Sequence, residues 1–158
     1  MALALPGDAD EWIDAWGEKL NESEAYGEAG AGWGVGFNGD FLFHIRPDET
    51  YDGADLYFFV GLEDGVCTDA MRTDDPDGVD WGFAFRCAYG TWKQLLRGEL
   101  GAIDGLMSGA FELDGDMQRT LQYSDAAVVM TEEAAAIDTA FEYWPGDRVL
   151  RLGIVRRT

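Results

Sequence analysis

Few side chains in this sequence offer chemistry by their type and spacing. His44 is the single histidine, so neither a Ser–His–Asp arrangement nor a histidine-based zinc site has its usual parts. It falls on the outward face of an alternating apolar segment with no cysteine nearby, and a structural or solvated role is expected. Cys67 and Cys87 form no metal or redox motif by spacing, and both lie in apolar stretches. They are expected to be buried, reduced thiols. The run Asp74, Asp75, Asp77, Gly78 and Asp80 faintly suggests a calcium loop. Setting Gly78 at the glycine position of an EF-hand puts Thr73 at the first ligand position and Ala84 where the bidentate glutamate belongs. That run is therefore read as a solvated acidic loop. Glu132–Glu133, or Asp114 and Asp116, are uninformative in a chain with 31 acidic residues. No catalytic residue, metal site or cofactor is expected.

Gly34, Gly36 and Gly39 match the dinucleotide fingerprint G-x-G-x-x-G. That fingerprint needs a strand before its glycines and a helix after them. Here the residues after Gly39 alternate instead, with Phe41, Phe43 and Ile45 on one face and Leu42, His44 and Arg46 on the other. Period two marks a strand. Asn38-Gly39 is a type I′ hairpin signal, so Trp33–Phe37 and Asp40–Arg46 are predicted to form a β-hairpin, and the fingerprint match is accidental.

The chain has 158 residues and 47% apolar content, enough for one domain with a full core and too apolar for a disordered polypeptide. Its formal net charge is −20, and only Lys19 and Lys93 are lysines among 11 basic residues. Such a surface repels itself in dilute salt, and the repulsion fades when salt at about 1 M shortens the Debye length to ~3 Å. The pattern resembles cytoplasmic proteins of salt-accumulating haloarchaea. Nucleic acid is excluded as a partner, because the required basic patch is missing. No apolar run approaches the ~20 residues of a membrane helix. The start, MALALPGDADEW, lacks a basic n-region and a real h-region, so no secretory signal is expected and a cytoplasmic location is.

These residues need elements to position them. Trp12, Ile13, Trp16 and Leu20 share one face of a predicted helix over Asp10–Leu20. A shorter helix follows over Ser23–Ala29, with Ser23 as its cap. Asp55–Leu62 is apolar on both faces, as a central strand covered on two sides would be. Glu63-Asp64-Gly65 reads as a turn into a strand over Val66–Met71. After the polar loop 72–80, Trp81–Ala88 alternates with Trp81, Phe83, Phe85 and Cys87 on one face. Pairing of these last two strands would bring Cys67 and Cys87 together. Helices are predicted over Thr91–Arg97, Ala102–Met107 and Asp116–Gln122, with a short strand at Phe111–Leu113. A last helix runs from about Asp125 to Phe141, with Ala126, Val129, Met130, Ala134, Ile137 and Phe141 on one stripe. A helix, an antiparallel meander, and helices around a last strand make an α+β domain.

The stretch YGTWKQLLRGELGAIDGLMSGAFELDGDMQRTLQYSDA, residues 89–126, resembles the sterol carrier protein 2 (SCP2) family. The likeness rests on Trp92 and Leu95-Leu96, then Gly98-Glu99-Leu100, Leu106-Met107-Ser108-Gly109, Phe111-Glu112-Leu113 and Gly115-Asp116-Met117. The order of preceding elements extends it to roughly residues 8–141. The spacing is also physically sensible: Gly98 can end a helix in a left-handed conformation, Gly109 lets the chain reverse, Asp114 or Gly115 can cap the next helix, and Asp116 suits its N-terminal dipole.

The resemblance implies a sheet of about five mostly antiparallel strands, covered by helices and enclosing a hydrophobic tunnel. It implies binding or transfer of apolar lipids (isoprenoid, quinone, acyl or sterol-like) without catalysis. The alternative is an accessory or scaffold protein with the same fold and a filled cavity, acting through protein contacts. The lipid-binding side chains would be Phe83 and Phe85 from the sheet, Trp92, Leu96, Leu106, Met107, Phe111 and Leu121 from the motif, and Val129 and Met130 from the long helix. The lipid-binding domain would span 1–142. Residues 143–158 form an Arg-rich extension with Arg148, Arg151, Arg156 and Arg157; Val149–Val155 is a candidate extra strand there and a candidate homodimer contact.

Overall fold

Alternating apolar residues in Phe41–Arg46 build the middle strand of a five-stranded sheet. The structure, a computed structural model, describes residues 2–141. In chain order it contains β1 (Leu3–Leu5), α1 (Ala9–Glu22), α2 (Glu24–Ala29), β2 (Phe41–Arg46), β3 (Leu56–Glu63), β4 (Val66–Arg72), β5 (Phe83–Ala88), α3 (Tyr89–Leu96), α4 (Ala102–Ser108), β6 (Glu112–Asp114), α5 (Met117–Gln122), α6 (Ser124–Ala135) and β7 (Thr139–Phe141). A 3₁₀ turn at Pro76–Gly78 interrupts the acidic loop. The expected α+β class is found.

The main sheet has the order β4-β3-β2-β5-β6. It is mixed: β2 and β5 run parallel, with Phe41 opposite Phe83 and Phe43 opposite Phe85, while the other pairs are antiparallel. A simple meander was expected. The tight β3–β4 hairpin occupies the outer edge of β3, so β5 pairs instead with the free edge of β2. Two strands therefore separate β4 from β5, and Cys67 does not meet Cys87. Three spacings of about 4.8 Å put their strands about 14 Å apart. Both thiols are free and buried.

The expected hairpin at Asn38-Gly39 is absent, because residues 31–37 form turns and bends and 38–39 no regular element, rather than a strand. Trp33 decides this. Its indole lies on Gly39 and donates from Nε1 to the Gly39 carbonyl at 2.8 Å, and a Cβ at Gly39 would come within 2.5 Å of that nitrogen. Gly39 thus allows close approach of a ring, not a turn. The two-residue hairpin of the sheet is Asp64-Gly65 instead, with φ of 52° and 79° flanked by the pair Glu63 and Val66.

One face of the sheet carries Phe41, Phe43 and Ile45 from β2, Phe58, Val60 and Leu62 from β3, and Phe83 and Phe85 from β5. Buried side chains of α1, α3 and α6 pack over it. As expected of a strand covered on two sides, β3 is apolar on its other face too. There Met71, Phe59, Leu42 and Ala84 stand side by side across four strands, the last three buried.

Helix α6 stops at Ala135, not at Phe141 as predicted. The stripe Ala126, Met130, Ala134 and Ile137 is buried, but Thr139–Phe141 pairs in parallel with Leu3–Leu5 as a second, two-stranded sheet. Ser23 caps α2 as expected, accepting from the Tyr26 amide at 3.0 Å. Asp116, rather than Asp114 or Gly115, caps α5 by accepting from the Arg119 amide at 3.1 Å. The extension 143–158, with its candidate strand, arginines and dimer contact, lies outside the described residues.

Candidate lipid site beneath helix α6

Helix α6 packs against α1, α2, α3 and α4 and lies over the helix-covered face of the sheet. Its inward positions near the N-terminus are small, Ala126 and Ala127, before Met130 fills the next turn. Small residues opposite large rings leave gaps, and two narrow apolar slots lie here. They share Phe41, Thr120, Ala127 and Met130 as walls. The first continues to Tyr26, Trp33 and Leu62. The second continues to Phe43, Phe85 and Leu106.

Each slot has a cavity volume of about 30 Å³, room for a water or two and far below a lipid chain. The second lies beside a larger space. Ala102, Ile103 and Thr131 form its outer end and also border an open groove of about 410 Å³. That groove runs between α4 and α6, flanked by Leu100, Val128, Asp104 and Glu132. The groove adjoins the second slot, and the second slot adjoins the first, through these shared walls.

Of the predicted lining residues, Phe85, Leu106 and Met130 stand in the slot walls. Phe83 lies under Trp33, ring centroids 4.9 Å apart, and Phe111 packs on Phe85 at 4.6 Å. Trp92 sits in a filled aromatic cluster, 5.9 Å from Trp12 and 6.3 Å from Trp16. Leu96 is buried in the same core; Leu121 and Val129 are half-buried. None of these six borders a slot. Met107 is a correction: it is 70% exposed. Helix α4 buries Ala102, Gly105 and Leu106, and Met107 stands one residue, about 100°, off that stripe.

Sequence reasoning missed Phe41, Phe43, Thr120 and Ala127, along with Tyr26 and Trp33. The alternation of β2 already placed Phe41 and Phe43 on the inward face, and that signal was usable. Nothing in the sequence shows whether an alanine on a buried stripe marks close packing or a gap.

The walls are chemically quiet. Among the described residues, no charged side chain lines either slot. Thr120 donates its hydroxyl to the Asp116 carbonyl at 3.1 Å. Burial, with a smaller contribution from Cys67, pushes the Tyr26 phenol well above its usual range. Burial likewise raises Cys67 to about 11 and Cys87 to about 12, so both thiols stay protonated and weakly nucleophilic. Among the described residues no group of three or more His, Cys, Asp or Glu could hold a metal.

His44 lies on the opposite face of the sheet, stacked on Tyr57 with ring centroids 4.5 Å apart. Arg86 Nη1 lies 2.8 Å from His44 Nδ1. A guanidinium only donates, so Nδ1 accepts, and Nε2 carries the proton and donates to Asp55 at 2.6 Å. Arg86 also reaches Asp114 at 3.5 Å. The histidine is a structural bridge between strands.

This helix order over a β4-β3-β2-β5-β6 sheet has close counterparts. A crystal structure of sterol carrier protein 2 superposes with a TM-score of 0.70 at 27% identity, covering 81% of this chain and 96% of that one. The fold is that of sterol carrier protein 2. The solution structure of a conserved hypothetical protein from Thermus thermophilus, described as possibly a sterol carrier protein, gives 0.71 at 27% identity, covering 82% of this chain and 88% of that chain. Sterol carrier protein 2 from Yarrowia lipolytica, in its apo form, gives 0.52 at 15% identity over 86% of this chain and 99% of its own. No family model and no curated protein matches the sequence. The structural matches bear out the SCP2-like fold implied by the resemblance of residues 89–126, and among the described residues no helix is long and apolar enough to cross a membrane.

Proposed function

We propose that this SCP2-like chain binds an apolar lipid between its sheet and helices α4–α6, and carries it without catalysing a reaction. The observation behind this reading is the pair of adjoining apolar slots under Ala126, Ala127 and Met130, next to the α4–α6 groove. Ligand pockets are usually roughly 300–1,000 Å³, so the slots must widen by movement of α6 away from α4 as a chain enters. Each buried CH₂ contributes about 0.8 kcal/mol, part of it offset by ordering. The net charge of −20 and the scarcity of lysine favour a haloarchaeal-type, cytoplasmic carrier of isoprenoid, quinone, acyl or sterol-like cargo.

A second reading has its own support. The slots are only about 30 Å³ each, and the neighbouring Trp12, Trp16 and Trp92 are fully buried, as they would be in a scaffold with a closed core. Titration of a long-chain fluorescent lipid in about 3 M KCl, where self-repulsion is screened, separates the two. Saturable binding at one site supports the carrier. No saturable binding of any isoprenoid, quinone or acyl probe supports the scaffold.

A further inference from the structure

We infer that the ligand of this site is uncharged, because the path from the α4–α6 groove into the slots rejects anionic head groups. The inference rests on the lipid-binding reading above and narrows its cargo. Phe, Met, Leu, Ala, Thr, Tyr, Trp and Ile side chains make up every wall of the two slots. A carboxylate drawn inward would lose its water and meet no cation, which is the costliest form of burial. The opposite orientation, chain inward and head group at the mouth, fares no better. Among the described residues, the charged side chains lining the groove are Asp104 from α4 and Glu132 from α6, with no lysine or arginine beside them. An anion left there shares the groove with two carboxylates on a chain of net charge −20.

A neutral polar group is accommodated. Thr131 stands where groove and slot meet, and its hydroxyl donates to the Val128 and Ala127 carbonyls at 3.0 and 3.2 Å. Its oxygen lone pairs remain able to accept from an alcohol. The class that fits best is a long apolar molecule ending in a hydroxyl, which donates to Thr131; an ester or quinone-type carbonyl finds no free proton there but has no charge to bury. Free fatty acids and phosphate-headed lipids are excluded.

The test uses the full chain and three ligands of one chain length: hexadecanol, methyl palmitate and palmitate. Each competes with a neutral fluorescent lipid at about pH 8, where the acid is ionised, in about 1 M and 3 M KCl. Alcohol and ester are expected to bind, with palmitate weaker by about tenfold or more. Glu132→Lys, a change at an exposed position, is expected to lower the ratio of ester to palmitate affinity in the lower salt. Palmitate binding as tightly as its ester in the wild type overturns the inference and leaves the lipid-binding reading intact. An unaltered ratio in Glu132→Lys removes the groove carboxylates from the explanation and overturns their part in it. Failure of all three ligands to bind overturns the lipid-binding reading as well.

Discussion

Trp16 donates its indole Nε1–H to the backbone carbonyl of Met130 at 3.0 Å, joining α1 to the middle of α6. The same ring lies 5.0 Å from Phe43, so one side chain braces both the roof and the floor of the second slot. Trp12, one turn earlier, donates to Thr139 Oγ1 at 2.9 Å and holds the segment that follows α6. Helix α1 is therefore tied both to α6 and to the segment that follows it.

Replacing Trp16 with Phe keeps an apolar ring but removes the donor and part of the volume. The expected cost is about 1–3 kcal/mol from the lost hydrogen bond and the gap left behind. Amide exchange in Ser124–Ala135 should quicken more than in β2 or β3. An unchanged melting temperature with unchanged α6 protection would show that the indole does not brace this helix.

Two tryptophan substitutions separate a lining residue from a surface one. Met107→Trp adds bulk at an exposed site and should shift stability by no more than about 0.5 kcal/mol, with lipid binding retained. Ala127→Trp fills the wall common to both slots. It should abolish binding and overpack the site by about 1–3 kcal/mol. Binding lost in Met107→Trp but kept in Ala127→Trp would place the ligand elsewhere.

The buried thiols provide a pH test. Cys67 and Cys87 have folded values of about 11 and about 12, above the unfolded thiol near ~8.5. Above that unfolded value the unfolded chain releases protons that the folded one retains, so stability is intact below about pH 8.5 and declines as pH rises toward the folded values. In the native protein at about pH 8 neither thiol should react with a disulfide reagent, and both should react once unfolded. Stoichiometric labelling of the native state would contradict the burial.

The charge gives a salt test. Circular dichroism should show loss of cooperative structure in about 0.1 M KCl and a sharp melt in about 3 M, because the repulsion of a −20 chain is screened only in the latter. Equal melting temperatures in the two buffers would remove the halophilic reading.

Local periodicity carried much of this fold. Trp12, Ile13, Trp16 and Leu20 were readable as one face, and all four are buried; the alternation in β2 and β5 and the two apolar faces of β3 were readable in the same way. What local pattern does not encode is which strand edges remain free. The parallel β2–β5 pairing, and with it the separation of Cys67 from Cys87, follows from β4 taking the edge of β3. Asn38-Gly39 had the right turn chemistry, but the contact of Trp33 with Gly39 outweighed it. The stripe on α6 kept its phase to Ile137 while the backbone had already left the helix, since side-chain burial continues into the β7 segment. For the site, residue types named apolar candidates but not the gaps between them. Met107 missed by one position on α4, and Ala127 is visible as a wall only once the helix is laid on the sheet.

The central claim is that a lipid occupies the space between the sheet and α4–α6. Backbone NMR during titration of the full chain with hexadecanol in high salt tests it most directly. The account expects saturable, one-site shifts concentrated at Phe41, Phe43, Thr120, Ala127 and Met130, spreading to Ile103 and Thr131 at the groove. Shifts absent from these residues, or confined to the outer face around His44 and Arg86, would contradict it.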